Sequence, residues 1–372
     1  MEMAKQNRVL YVNHPLDRIT YLKNENDKLN KERAEVIQGK KKALNREMEN
    51  LWVYNPKMVV EPVNRIPLKP VFDFFNMINT KRFAREVKTA LKELGFKNII
   101  IFNDSSMFLG SSLRKYLNAD FYYYYIRDNL VHSIHPYWNT HGKRIERKMI
   151  ENADAVVTNS LYYTDYAQQY NQNSFMVGQG CDTSLFDYKA REIEIPEDLA
   201  RIPHPVIGYI GFLTRKRLDL ELLASLSAAR PEWSIVLIGP EDDVFRNSSL
   251  HHLKNVYFLG AKPPETLPNY IKGIDVCINP QVVNLATIGN YPRKIDEYLA
   301  MGKPVVATKT KAMEYFRDYT YLATDADDYL RMISKALKEN NSEYSEKRRE
   351  FALEHSWENN LKEIWRAYRI KN

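Results

Sequence analysis

Asn290-Tyr291-Pro292-Arg293-Lys294-Ile295-Asp296-Glu297-Tyr298-Leu299-Ala300-Met301-Gly302-Lys303-Pro304-Val305-Val306-Ala307-Thr308 reads as a short helix that stops at a glycine and delivers the chain into a buried strand. Pro292 suits a first helical turn, and Gly302-Lys303-Pro304 ends the helix. Lys294 and Glu297 are three apart and share one face. A carboxylate there suits a ribose diol, while the cation and the backbone N–H groups of a helix start suit phosphate. The plainer reading of the same pair is a surface ion pair contributing a few tenths of a kcal/mol.

Outward from this segment the rhythm is strand, then helix. Val206–Ile210, Ser234–Ile238, Val256–Leu259, Val276–Asn279 and Pro304–Ala307 are strand candidates. Helical patterns at Leu218–Ala229, Pro264–Lys272 and Arg293–Met301 separate them. The first half repeats the rhythm with strands at Arg8–Asn13, Leu51–Tyr54, Lys97–Phe102, Phe121–Ile126 and Ala153–Thr158, and helices at Phe72–Leu94, Met107–Tyr116, Gly142–Glu151 and Leu161–Tyr170. Such alternation specifies α/β architecture with parallel sheets covered on both faces. The polar, charged stretch up to about Asn50 shows no core stripe and reads as an insertion or a mobile helical excursion. A Pro-rich passage at Ile193–Pro205 reads as a linker. The expected division is 1–195, an N-terminal Rossmann-like domain on the acceptor side, then 196–355, a C-terminal Rossmann-like domain for the nucleotide. A helix over 356–372 should return its aromatic stripe, Trp357, Leu361, Ile364, Trp365 and Tyr368, to the N-domain.

Length and composition agree. At 372 residues the chain suits two domains facing across a cleft. A hydrophobic content of 44% against 27% charged belongs to a globular protein, and no apolar run approaches the roughly 20 residues of a membrane span. Met1–Val12 lacks a signal-peptide core, so a cytoplasmic location is expected, with peripheral attachment at the inner membrane face as an extension of it. Cys181 and Cys277 suggest neither a disulfide framework nor a zinc site. The net charge of +7 is concentrated in the first half, with 29 basic against 23 acidic residues through Glu194 and 25 against 24 after it. Lys40, Lys41, Lys42 and Arg46, then Lys81, Arg82, Arg85 and Lys88, could meet an anionic membrane surface or lie on solvated helix faces. Nucleic acid is not expected as a partner, because no nucleic-acid module accompanies the cations.

Gly208-Tyr209-Ile210-Gly211-Phe212-Leu213-Thr214-Arg215-Lys216-Arg217 places a strand, a glycine turn and three cations ahead of a helix, a pattern fitted to phosphate. The alternative is a solvated basic helix start.

Together these segments resemble the family 4 type of glycosyltransferase, in the bacterial branch of polysaccharide and cell-surface glycan assembly. The likeness runs through Gly208–Gly211, Asp219–Leu222, Pro231–Ser234, Leu237–Pro240, Asn255–Gly260, Leu267–Tyr270 and Pro292–Thr308, and more loosely through Val9–Asn13, Ala153–Ser160 and Gly180–Phe186. It implies the GT-B fold, transfer from a nucleotide-diphosphate sugar to a glycan or lipid-linked acceptor, retention of anomeric configuration and no metal or other cofactor. Family members carry two Glu residues with seven between them. Here the second is Glu297 and the first position is Gly289. The Arg that follows the first C-domain glycine in many members is Phe212 here. On this reading Gly211, Arg215, Gly239, Asn290, Tyr291 and Glu297 hold the nucleotide sugar, and Arg217 and Lys294 meet the departing diphosphate.

In the N-domain, Phe121–Ile126 leads into a loop carrying Asp128, His132 and His135, where parallel sheets place ligands. Asp128 could take a proton or hold the acceptor, or cap a turn. Tyr122–Tyr125 reads as strand packing. Two other functions fit the same architecture: a sugar-nucleotide epimerase, which would need paired acidic residues in the cleft, and a catalytically silent sugar-nucleotide binder, which the missing first Glu allows. A dehydrogenase is disfavoured because no G-x-G-x-x-G follows either opening strand.

Overall fold

The computed structural model describes residues 1–23, 27–130, 136–190 and 192–371. It falls into two compact units. The first comprises 1–159, 163–176 and the chain from Glu363; the second comprises 160–162 and Val177–Lys362. The units thus divide near 176, and the Pro-rich passage at 193–205 lies inside the second.

In the first unit, β1 (Val9–Val12), β2 (Leu44–Met48) and β3 (Leu51–Tyr54) form a three-stranded sheet of order β1-β3-β2. β1 pairs with β3 in parallel and β2 is antiparallel. The charged stretch before Asn50 is therefore not a mere excursion: it holds helices at Arg18–Lys23 and Lys28–Ile37 and then strand β2. Its polarity follows from β2 being an edge strand, with Arg46, Glu47 and Met48 exposed. A four-stranded parallel sheet follows, made of β4 (Ile100–Asp104), β5 (Phe121–Ile126), β6 (Ala155–Thr158) and β7 (Ser174–Met176) in that order. The long helix α1 (Lys69–Glu93) packs Phe83, Ala84, Val87 and Leu91 onto Leu109, Leu113 and Leu117. Met107–Tyr116 is two short helices, Met107–Gly110 and Leu113–Leu117.

β5 is buried on both faces, so each interior tyrosine hydroxyl needs a partner. Tyr122 Oη donates to Gly110 O at 3.1 Å and accepts from Asn103 Nδ2 at 2.7 Å. Tyr124 Oη donates to Glu146 Oε1 at 3.2 Å, on helix α2 (Pro136–Asn152). Tyr123 Oη donates to Ile364 O at 2.6 Å. The last turns of the C-terminal helix supply that carbonyl, and they also set Tyr368 edge-on to Phe121 and Trp365 edge-on to Tyr123.

The second unit is one parallel sheet. Its strands are β8 (Val206–Ile210), β9 (Ser234–Ile238), β10 (Val256–Gly260), β11 (Val276–Asn279), β12 (Val305–Thr308) and β13 (Tyr321–Ala323), in the order β10-β9-β8-β11-β12-β13. Numbered within the unit this is 3-2-1-4-5-6, the doubly wound Rossmann order, whose connections reverse direction between β8 and β11. The central strands are buried along their whole length. Helix α3 (Leu220–Ala229) starts at Asp219, whose carboxylate accepts from Leu222 N at 2.9 Å. Helix α4 (Lys294–Ala300) ends as the sequence indicates: Gly302 adopts φ +69° and Lys303 N donates to Tyr298 O at 3.0 Å. Among the described residues no helix is long and apolar enough to cross a membrane.

Candidate functional site

Ligands of doubly wound sheets bind beyond the carboxyl ends of the strands, at the point where the winding reverses. In the second unit that point is the pair of loops after β8 and β11. The two loops are joined: Val282 N donates to Arg217 O at 2.9 Å, Asp219 N donates to Pro280 O at 3.0 Å, and Leu218 bridges Gln281.

The loop after β8 is also pressed against the loop after β9. Gly211 N donates to Ile238 O at 2.8 Å and Leu213 N donates to Pro240 O at 2.9 Å. Gly239 sits at φ +150°, and a Cβ there would lie 1.8 Å from Gly211 O. Gly239 thus lets one backbone run against the other and so places Gly211.

Helix α4 carries the rest of the site. Tyr298, fully buried, accepts from Ile210 N at 2.8 Å through its hydroxyl, which fixes the helix to the end of β8. Lys294 then reaches Gly211: its Nζ donates to Tyr209 Oη at 2.8 Å and lies 4.4 Å from the centre of the Tyr209 ring. A Cβ on Gly211 would stand 3.1 Å from that Nζ. Glu297 pairs with Arg293, Nε to Oε1 at 3.0 Å, so the i,i+3 pair with Lys294 is not what the helix forms. Burial raises the Glu297 carboxyl above its ordinary range, with Arg293 and Lys294 opposing the shift. With seven residues α4 is two turns long, so its dipole contributes little and the side-chain charges dominate.

The remaining candidates are placed as follows. Asn290 precedes α4 with its Oδ1 buried and without a hydrogen-bond partner among the described residues. Tyr291 turns its ring inward, and its hydroxyl donates to Asp296 Oδ2 at 2.5 Å. Arg217 is exposed, held at its backbone by the Val282 contact. Arg215 is exposed and only loosely paired, 3.8 Å from Glu221. Gly289, at the position of the absent first Glu, is buried, and its carbonyl accepts from Ser160 Oγ at 2.7 Å. Asp128 belongs to the first unit. It lies at the carboxyl end of β5 with Arg127 Nε 3.8 Å from its Oδ2, and the same Nε is 3.2 Å from Asp104 Oδ1. His132 and His135 lie outside the described residues. Cys181 and Cys277 are free and buried, and burial pushes the Cys277 thiol up to about 12.

Sequence reasoning missed the group that anchors α4 from below. Asp296 is fully buried between Tyr291 and His355, whose Nδ1 donates to Asp296 Oδ1 at 2.7 Å. Tyr315 Oη is in turn 2.8 Å from His355 Nε2. The available signal was a carboxylate on a helix otherwise apolar on that side, beside Ile295 and Leu299; nothing in the sequence pointed to a partner 59 positions away. Tyr291→Phe should therefore cost about 2 kcal/mol in urea unfolding, because a buried carboxylate loses one of its donors. A change below about 0.5 kcal/mol would show that the hydroxyl contributes nothing there.

Residues 204–339 match the family described as glycosyl transferases group 1. A Bacillus subtilis (strain 168) protein, TuaH, provisionally named a teichuronic acid biosynthesis glycosyltransferase, is 28% identical over 230 residues. That stretch is 58% of this chain and 56% of the relative, so the chain spans about half the length of the curated relative it matches. Among solved structures, sucrose-phosphate synthase from Thermosynechococcus elongatus superposes with a TM-score of 0.66 at 16% identity, covering 98% of this chain and 89% of that one. The Anabaena protein HepE in complex with UDP gives a TM-score of 0.62 at 15% identity, covering 77% and 81%. The fold is GT-B, and the span that matches the glycosyl transferases group 1 family lies within the second unit.

Proposed function

We propose that the chain is a glycosyltransferase that moves a sugar from a nucleotide-diphosphate sugar to a glycan or lipid-linked acceptor, with retention and without a metal. The observation that carries this reading is the Lys294 ammonium held beside Gly211 at the winding reversal of a group 1 glycosyltransferase domain. In the reaction the bond between the anomeric carbon and the diphosphate oxygen breaks, a bond to the acceptor hydroxyl oxygen forms, and the hydroxyl proton leaves. Lys294 and Arg217 stabilise the charge gathering on the diphosphate. Glu297 receives the ribose diol, and the unpartnered Asn290 Oδ1 accepts from a hydroxyl of the donor. Asp128 holds the acceptor hydroxyl or takes its proton. The UDP and UDP-glucose complexes of the Anabaena neighbour make UDP the first nucleotide to try, and the basic first half makes peripheral contact with an anionic membrane part of the same reading.

Thermal unfolding with UDP, GDP, ADP and their sugars tests the donor. One nucleotide should stabilise the chain by about 2.7 kcal/mol at a hundred times its Kd. No stabilisation by any of them would remove the reading. The metal-free step has its own test: turnover should survive EDTA unchanged. Activity lost to EDTA and restored by magnesium or manganese would overturn it.

A further inference from the structure

Helix α1 of the first unit has an outward side that its packing does not explain. Its inward side is fixed by Phe72, which is fully buried and stacks on His141 of α2 at 3.9 Å, while His141 Nε2 lies 2.8 Å from Ile66 O. The first turns of the helix are otherwise bare. Leu68, Val71, Phe74, Phe75 and Met77 are 65%, 39%, 55%, 38% and 38% exposed, a concentration of large apolar side chains within ten positions. Single exposed apolar residues need no explanation, but a contiguous patch marks an interaction surface.

Charge decides what the patch meets. At helical spacing the outward stripe reads Val71, Phe74, Ile78, then Lys81, Arg85, Lys88, with no acidic residue on it. Apolar and cationic residues are therefore segregated along the axis rather than mixed. Phe74 and Lys81 are seven positions apart, about 10 Å at the helical rise. Nearby acidic groups are engaged: Asp73 pairs with Arg144 of α2 at 2.6 Å, and Glu86 accepts from Tyr54 Oη and Lys57 N. Exposed Lys143 and Lys148 on α2 add to the positive field. In a helix lying at a bilayer interface the apolar side chains sink roughly 5–10 Å while cations further along the same face stay at the level of the phosphates.

We propose that the exposed face of α1 docks on an anionic phospholipid surface, with Phe74 and Phe75 in the interface and Lys81, Arg85 and Lys88 on the headgroup phosphates. The inference rests on the membrane contact of the proposed function for its purpose, and on this surface for its place. Sedimentation of the full chain with vesicles of phosphatidylcholine alone, or with an equal part of phosphatidylglycerol, tests it. The chain should sediment with the anionic vesicles, less so as salt rises, and stay in solution with the neutral ones. Phe74→Ser with Phe75→Ser should weaken the anionic binding about tenfold. Lys81→Gln, Arg85→Gln and Lys88→Gln should weaken it about fivefold for each cation removed. Equal binding to both vesicles, binding to neither, or Phe variants that bind like the parent would overturn the proposal. So would a concentration-dependent dimer that the Phe substitutions dissolve, which would make the patch a protein contact. Thermal unfolding confirms that each variant folds, and the UDP screen separates the two readings: vesicle binding without nucleotide stabilisation leaves this surface standing while the donor assignment falls.

Discussion

Gly239→Ala should unfold the second unit at far lower urea than the parent, with a loss of about 3 kcal/mol or more, the size reserved for strained backbone and forced overlap. The new Cβ would stand 1.8 Å from Gly211 O, where real contacts keep at least 3.0 Å, so the two turns must part by about 1.2 Å. The obstacle is a backbone carbonyl and cannot rotate away. The turns cannot part freely either, because Gly211 N, Leu213 N and Gly239 N are bonded to Ile238, Pro240 and Gly260 carbonyls. Any protein that folds should also lose nucleotide-induced stabilisation, since Gly211 moves away from Lys294. Gly211→Ala makes the contrast. Its φ of +148° strains any side chain there too, but its Cβ would meet Tyr209 Oη at 2.9 Å and Lys294 Nζ at 3.1 Å, both ends of side chains that can yield. It should cost less stability while displacing the lysine. A Gly239→Ala unfolding midpoint indistinguishable from the parent would show that the close approach of the two turns does not matter.

The second large effect is expected at Lys294. Lys294→Ala should lower turnover about a hundredfold, in line with the loss of a preorganised charge facing a developing anion. Its effect on stability should be small, because among the described residues the ammonium's hydrogen bond and ring contact both go to Tyr209. Glu297→Ala should act differently, raising the donor KM about tenfold with less change in kcat, as for a group that binds the ribose in ground and transition states alike. Arg215→Ala should raise the donor KM by a smaller factor, about threefold, as for one exposed cation that meets the nucleotide at the rim of the site. Steady-state kinetics on these variants checks all three. Turnover within about twofold of the parent for Lys294→Ala would remove the lysine from the mechanism.

The fold was legible where burial leaves an unmistakable trace. Val206–Ile210, Ser234–Ile238 and Val276–Asn279 are strands to the residue, because interior strands of a parallel sheet are unbroken apolar runs. Ser174–Met176 and Tyr321–Ala323, three residues each, are too short to show a period, and Leu44–Met48 is polar because it lies at an edge. At the site, the existence of a helix over about 293–301 was readable, but its start was not: it begins at Lys294 with Arg293 as its cap, Pro292 lies before it, and Glu297 pairs with Arg293. The reason for Gly239 was not: its role is a contact with a carbonyl 28 positions earlier, which no local pattern encodes. Asp296 was passed over for the same reason, its meaning being set by His355.

The turn after β11 has a consequence for the thermodynamics of whatever meets it. Asn284 Oδ1 accepts from Ala286 N and Thr287 N, Thr287 Oγ1 donates to Val282 O and accepts from Asn284 N, and Gln281 Nε2 donates to Thr287 O. The turn is held by its own side chains, and Gln281 N is tied to Thr308 Oγ1 of the neighbouring strand. Its conformational entropy is therefore given up when the unit folds. A ligand reaching Asn290 meets a surface already set, so association there needs no ordering of this segment and should carry a correspondingly small entropic penalty.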